Sequence, residues 1–116
     1  MDTNKSIVIV FKQDGMGSSD HPDLPSRLAE TLLTLLDEAD FRTAAICFYT
    51  EGVHLCCSGS NVLRLLRRLE AKRVALILCG TCLDTFGLRD QVEVGIIGSM
   101  KDILEAMWRA DSVLYL

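Results

Sequence analysis

The stretch Arg73-Val74-Ala75-Leu76-Ile77-Leu78-Cys79-Gly80-Thr81-Cys82 (RVALILCGTC) decides the fold. Arg73 to Leu78 forms a short apolar run that stops abruptly at Cys79-Gly80, the signature of a strand buried on both faces. Two earlier runs read the same way. Ser6 to Phe11 (SIVIVF) ends at the turn-rich Lys12-Gln13-Asp14-Gly15, and Thr43 to Tyr49 (TAAICFY) ends at Thr50-Glu51-Gly52. Between these strands the apolar residues change period. Leu28, Leu32, Leu35, Leu36 and Ala39 recur at helical spacing, which predicts a helix from about Leu24 to Ala39, with Asp23 as N-cap and Pro25 in the first turn. Val62, Leu65, Leu66 and Leu69 predict a second helix, capped by Ser60 or Asn61, with Arg64, Arg67 and Arg68 on a solvated opposite face.

After the central stretch a short helix is expected through Leu83 to Gly87, then a fourth strand at Glu93 to Gly98 (EVGIIG). Ser99 with Asp102 three residues on has capping-box spacing, and Met100, Ile103, Leu104 and Met107 form the stripe of the helix it opens. Ser112 to Leu116 (SVLYL) is the fifth strand. The order β-α-β-α-β-β-α-β predicts a three-layer α/β/α fold around a mostly parallel five-stranded sheet, a single domain over residues 1–116. Chemistry in such sheets collects beyond the carboxyl ends of the strands. Four segments should therefore converge on one edge: Asp14 to Ser18, Thr50 to Gly52, Cys79 to Cys82, and Gly98-Ser99.

Composition narrows the function. Of the 116 residues 49% are hydrophobic and 24% charged, and 12 Lys+Arg against 16 Asp+Glu leave a net charge of −4, so a folded chain with no nucleic-acid partner is expected. Met1-Asp2-Thr3-Asn4-Lys5 has no leader character, and no run reaches the roughly 18 apolar residues of a membrane span. The expected setting is the reducing cytoplasm, where cysteines serve as nucleophiles, ligands or core rather than as disulfides.

The chain has five cysteines. Cys79 and Cys82 lie where a buried strand ends and a helix opens. Unpaired amides there are expected to lower a thiol pKa, and the spacing lets one sulfur attack a species formed on the other. Cys47, inside a strand, reads as core. Cys56 and Cys57 are adjacent and point apart, which makes them poor partners in a metal site, so no metal and no cofactor are expected. His21 and His54 read as exposed loop histidines, and Trp108, off the stripe of its helix, as a subunit contact or a contact with a neighbouring loop. The loop Asp14-Gly15-Met16-Gly17-Ser18-Ser19 lacks the third glycine of a dinucleotide fingerprint and the Lys-Ser/Thr of a P-loop. Both prolines, Pro22 and Pro25, precede the cysteines, so the thioredoxin arrangement is disfavoured.

Gln13-Asp14-Gly15-Met16-Gly17, Phe48 to Val53 (FYTEGV), Cys79-Gly80-Thr81-Cys82-Leu83-Asp84 with Gly87-Leu88, and the closing Ala110-Asp111-Ser112-Val113 together resemble the DsrE/DsrF superfamily. The likeness is nearest to the C-terminal domain of YedF-type, sulfurtransferase-like selenium metabolism proteins, with the expectation that the TusA-like domain usually preceding it there is supplied by another chain. The resemblance implies a covered parallel sheet, a homo-oligomer, and handling of protein-bound sulfur. A persulfide-bearing cysteine would fall on Cys79, a fixed distance ahead of Gly87, while Cys82 is typical of the YedF-like group. The residues that follow, Asp84-Thr85-Phe86, stand where sulfur-transfer branches carry arginines.

The resulting expectation is a sulfur (or selenium) carrier in which Cys79 accepts a sulfane atom and Cys82 assists release or forms a disulfide. Asp14, Gly15, Met16, Gly17, Ser18, Thr50, Glu51, Gly80, Thr81 and Asp84 would shape the pocket, and desulfurase- or TusA-like proteins would be donor and acceptor. A non-catalytic oligomeric scaffold and a dithiol redox switch are the alternatives.

Overall fold

A computed structural model describes residues 4–39 and 41–116; Met1 to Thr3, part of the stretch expected to lack leader character, lie outside them. The elements are β1 (Ser6–Phe11), α1 (Leu24–Glu38), β2 (Arg42–Phe48), a 3-10 helix (Thr50–Cys56), α2 (Leu63–Ala71), β3 (Ala75–Cys79) and α3 (Gly80–Phe86). A 3-10 turn (Arg89–Gln91), β4 (Ile96–Gly98), α4 (Met100–Arg109) and β5 (Ser112–Tyr115) complete the chain. The strands lie in the order β4-β3-β2-β1-β5, every neighbouring pair parallel.

Alternation along the strands divides the apolar residues between two layers. Ile9 and Phe11 of β1, Ile46 and Phe48 of β2, and Leu76 and Leu78 of β3 join Leu33 of α1, Leu66 and Leu69 of α2 and Leu83 of α3 in the larger core. The rings of Phe11 and Phe48 stack there, 5.8 Å between centroids. Val8, Val10, Ala45, Cys47, Ile77 and Cys79 point the other way and close against Ile103 of α4. The register pairs Phe11 with Phe48, Phe48 with Leu78, and Cys79 with Gly98, so the carboxyl ends of the four strands finish side by side.

The helix ends show which local signals hold. Ser99 forms the expected capping box: its Oγ accepts from the Asp102 amide at 3.2 Å, and the Asp102 carboxylate accepts from the Ser99 amide at 2.8 Å. Asp23 occupies the N-cap position of α1, yet its side chain makes no cap bond, and Pro25 in the first turn carries the start. The N-cap of α2 is Val62, whose amide donates to Ser60 Oγ at 3.2 Å.

Two expectations are corrected. β4 is shorter than Glu93 to Gly98, because the segment before it pairs elsewhere. The Glu93 amide donates to the Cys56 carbonyl at 2.9 Å, and Val92 bridges Cys57 in antiparallel fashion. The arginine face of α2 is also not simply solvated. Arg68 Nε lies 2.7 Å from Asp37 Oδ2 and Lys72 Nζ 2.7 Å from Oδ1, which ties α2 to a nearly buried carboxylate on α1. On α4, Met100, Leu104 and Trp108 form an exposed row. Trp108 is 85% exposed, so it does not pack against a neighbouring loop. Among the described residues no helix is long and apolar enough to cross a membrane.

Candidate functional site: a thiol pair at the carboxyl edge of the sheet

Where β2 ends, the chain is pinned to the end of β1. The Tyr49 amide donates to the Phe11 carbonyl at 3.2 Å, and the Thr50 hydroxyl donates to the carbonyls of Lys12 and, at 2.7 Å, Tyr49. Gly52 follows, and a Cβ there would fall 2.0 Å from the Phe11 carbonyl oxygen, so no other residue fits this close approach. The loop after β1 is fixed in a similar way. The Met16 amide donates to the Pro25 carbonyl at 2.9 Å, and a Cβ on Gly15 would meet the Pro25 backbone at 2.6 Å.

Cys79 ends β3 and is the N-cap residue of α3, which begins at Gly80, so the helix opens at the cysteine pair as expected. Its side chain is 3% exposed and belongs to the core beneath α4. Cys82, one turn on, is half-buried and touches both cores. The Thr50 amide donates to Cys82 Sγ at 3.1 Å. The expected low thiol pKa is not found at Cys82. Burial raises it, as do the neighbouring Cys79 thiol and the charge of Glu51, while the Thr50 amide pulls it down. Desolvation disfavours the thiolate, and one amide offsets only part of that.

The expected residues in the loops after β1 and β2 lie around two hollows that share Gln13 and Asp14. Asp14, Thr50 and Glu51 share a hollow of about 380 Å³ with Lys12 and Gln13, beside Cys82 through Thr50. Gly17 and Ser18 line the second hollow, of about 270 Å³, with His21, Pro25 and the same Gln13 and Asp14, and Met16 packs against the larger core. Gly80 is buried, while Thr81 is exposed, its carbonyl accepting from Thr85 Oγ1 at 2.9 Å. Asp84 is held by Arg89, with Nε 2.7 Å from Oδ1 and Nη2 3.0 Å from Oδ2, which pushes the carboxyl pKa down.

Sequence reasoning missed Lys12, Gln13 and Arg89. Lys12 and Gln13 directly follow β1 and were legible as edge residues. Arg89 lies beyond the α3 C-cap, and only the fold brings its guanidinium to Gly80, where Nη2 lies 3.2 Å from the position of a Cβ. The site therefore has an arginine despite Asp84-Thr85-Phe86, with Asp84 neutralising it.

The other three cysteines are buried. Cys47 is buried and its thiol pushed up to about 11 by desolvation. Cys56 is buried with a strongly raised pKa, and the Cys57 thiol donates to the Val53 carbonyl at 3.3 Å. All five cysteines are free, and no group of three or more His, Cys, Asp and Glu among the described residues is placed to hold a metal ion. His54 is exposed, 5.3 Å between ring centroids from Phe86. It lines a polar hollow of about 520 Å³ with Asp14, Ser58 and Asn61.

A family model described as DsrE/DsrF-like matches residues 5–116. The chain belongs to the DsrE/DsrF-like family. Solved structures share its three-layer α/β fold across nearly their whole length. The ychN protein from E. coli is 23% identical with a TM-score of 0.68, covering 97% of this chain and 99% of that one. A protein of unknown function from Methanobacterium thermoautotrophicum, MTH1491, is 14% identical with a TM-score of 0.66 and the same two coverages. A conserved protein of unknown function from Bacteroides thetaiotaomicron, BT1422, is 14% identical with a TM-score of 0.68, covering 100% of this chain and 98% of that one. No curated protein matches this family member.

Proposed function

We propose that this DsrE/DsrF-like domain carries sulfur, or selenium, on the thiol pair Cys79 and Cys82. The observation that carries the reading is the placement of both sulfurs at the carboxyl edge of the sheet, with the Thr50 amide directed at Cys82 Sγ at 3.1 Å. A hydrogen bond to sulfur favours the charged thiolate, the form that attacks a sulfane sulfur. Free rather than disulfide-bonded cysteines suit a reducing, cytoplasmic setting. Desulfurase-like or TusA-like proteins are the proposed donor and acceptor classes, and a further copy of the chain is the proposed partner of the exposed α4 row.

The test is incubation with a cysteine desulfurase and cysteine, followed by mass spectrometry of the thiol peptides. One added sulfur atom on the Cys79–Cys82 peptide is the expected result. A peptide that never gains one removes the carrier reading.

The exposed row on α4 and the raised pKa of Cys82 favour a second reading, an oligomeric scaffold without chemistry. It expects Cys79→Ser to leave assembly and partner capture intact, and loss of both would count against it.

A further inference from the structure

We propose that Cys82, rather than Cys79, is the thiol that meets the incoming sulfur, that the Thr50 backbone amide is the group that positions it, and that Cys79 acts second from beneath. The proposal rests on the sulfur-carrier reading and assigns the order of events within it.

Access separates the two thiols. Cys79 is 3% exposed, enclosed with Val10, Cys47, Ile77 and Ile103 under α4. A donor molecule cannot approach its sulfur along the line a displacement requires without opening that core. Cys82 is half-buried at the rim, next to the hollow lined by Lys12, Gln13, Asp14, Thr50 and Glu51.

The backbone at Thr50 is the second observation. Its φ is 47°, in the left-handed region, where a β-branched residue is a genuine outlier. Such strain persists only where surrounding contacts over-determine it. Here the Thr50 hydroxyl is bonded to the Lys12 and Tyr49 carbonyls, and Tyr49 is bonded to Phe11. The anchored turn directs the Thr50 N–H at Cys82 Sγ, 3.1 Å away. That bond is the one interaction on Cys82 that favours its thiolate against burial, the Cys79 thiol and Glu51.

The chemistry balances in two steps. The Cys82 thiolate attacks the terminal sulfur of a donor persulfide, R–S–SH. A new S–S bond forms on Cys82 as the donor S–S bond breaks, and the donor leaves as a thiolate that takes up the proton Cys82 gave up. The Cys79 thiolate then attacks Cys82 Sγ and expels the carried atom as hydrosulfide, leaving a Cys79–Cys82 disulfide. The carried sulfur gains two electrons and each cysteine sulfur gives up one. An external dithiol reduces the disulfide and restores the pair.

The experiment uses the full chain and glutathione persulfide as the probe, with mass spectrometry and a hydrosulfide assay. Cys79→Ser is expected to hold one extra sulfur on Cys82 at the wild-type rate, and Cys82→Ser to gain sulfur at least about tenfold more slowly, as for a thiol that reacts only when its core opens. Wild type should release hydrosulfide and form the disulfide. Sulfur on Cys79 of Cys82→Ser at the wild-type rate would overturn the order while leaving the carrier reading standing. No sulfur on wild type or either variant, with no hydrosulfide, overturns both.

Thr50 is tested by the pH profile of Cys82 alkylation. Thr50→Gly removes the hydroxyl anchor from a backbone that glycine adopts without strain. It should raise the midpoint by about half a unit, part of a hydrogen bond to a charged group. Thr50→Ser keeps the anchor and should keep the wild-type midpoint. A merely structural Thr50 would alter stability in both variants without moving the profile. An unmoved midpoint in Thr50→Gly, or an equal shift in Thr50→Ser, overturns the positioning role.

Discussion

A Cβ placed on Gly52 would lie 2.0 Å from the carbonyl oxygen of Phe11, closer than a Cβ on any other described glycine would come to its neighbours. The same turn contains Thr50, so Gly52 fixes both the packing of two strand ends and the direction of the amide that reaches Cys82. Gly52→Ala must push the 3-10 helix away from β1. It should cost about 3 kcal/mol, as overpacking at a rigid contact does, read as a lower urea midpoint. Cys82 alkylation should shift to higher pH in the same variant. A stable variant with an unchanged profile would show that the turn tolerates the methyl group.

The five thiols should react in a defined order. Cys82 is the least buried, while Cys47 is held in the core with a thiol near 11 and Cys56 is buried with a strongly raised pKa. Thiolate fraction and access both set alkylation rate. In a time course with iodoacetamide at pH 8, Cys82 should be modified first, and Cys47 and Cys56 only when urea unfolds the chain. Peptide mapping checks this, and early labelling of Cys47 would mean that the core under α4 opens readily.

The sheet was legible because its strands are short apolar runs, several of them followed within a few residues by glycine, as in Leu78-Cys79-Gly80, and periodicity reports burial directly. The capping box at Ser99 and Asp102 was legible for the same reason: both partners lie within four residues. What failed was non-local. Glu93 and Val92 look like strand residues, but Cys56 and Cys57 take their pairing. The convergence of Thr50 with Cys82 follows from strand order, whereas the left-handed Thr50 and the buried state of Cys79 do not. The pKa of Cys82 was expected to fall from its place near a helix start, because desolvation depends on packing that spacing alone does not reveal. Arg89 was missed since its contact with Asp84 spans the turn after α3.

Acid should unfold the protein through a few carboxylates. Asp37 is held below the usual 3.8 by bonds from Lys72 and Arg68, Asp84 by Arg89, and Asp102 by the Ser99 amide and hydroxyl. Groups with a depressed folded pKa contribute stability that is present above the unfolded value and is lost as pH falls through the folded one. The urea midpoint should therefore hold steady from neutral pH down to about 5 and fall below about 4. Asp37→Asn should be less stable than wild type at neutral pH, and the two should converge as pH falls through the depressed folded pKa of the wild-type carboxyl. A constant gap between them across that range would show that Asp37 acts by packing rather than by charge.

The outer face of α4 has too much apolar surface for a free helix. Met100, Leu104 and Trp108 follow at i, i+4 and i+8, exposed at 52%, 55% and 85%, while Ile103 faces the core. One exposed apolar residue needs no explanation, but three in a row on one helix are the pattern expected of a contact surface. If a further copy of the chain covers the row, sedimentation should find a species heavier than the 12.9 kDa monomer. Trp108 is the only tryptophan, so its emission reports the contact directly and should move to longer wavelength as the protein is diluted. Trp108→Glu and Leu104→Glu should shift the mass toward the monomer and leave the unfolding free energy of the monomer, read from urea titration, within about 0.5 kcal/mol of wild type, since neither side chain supports the core. A wild type that sediments as a monomer at every concentration, with Trp108 already in water, would leave the row to a different protein.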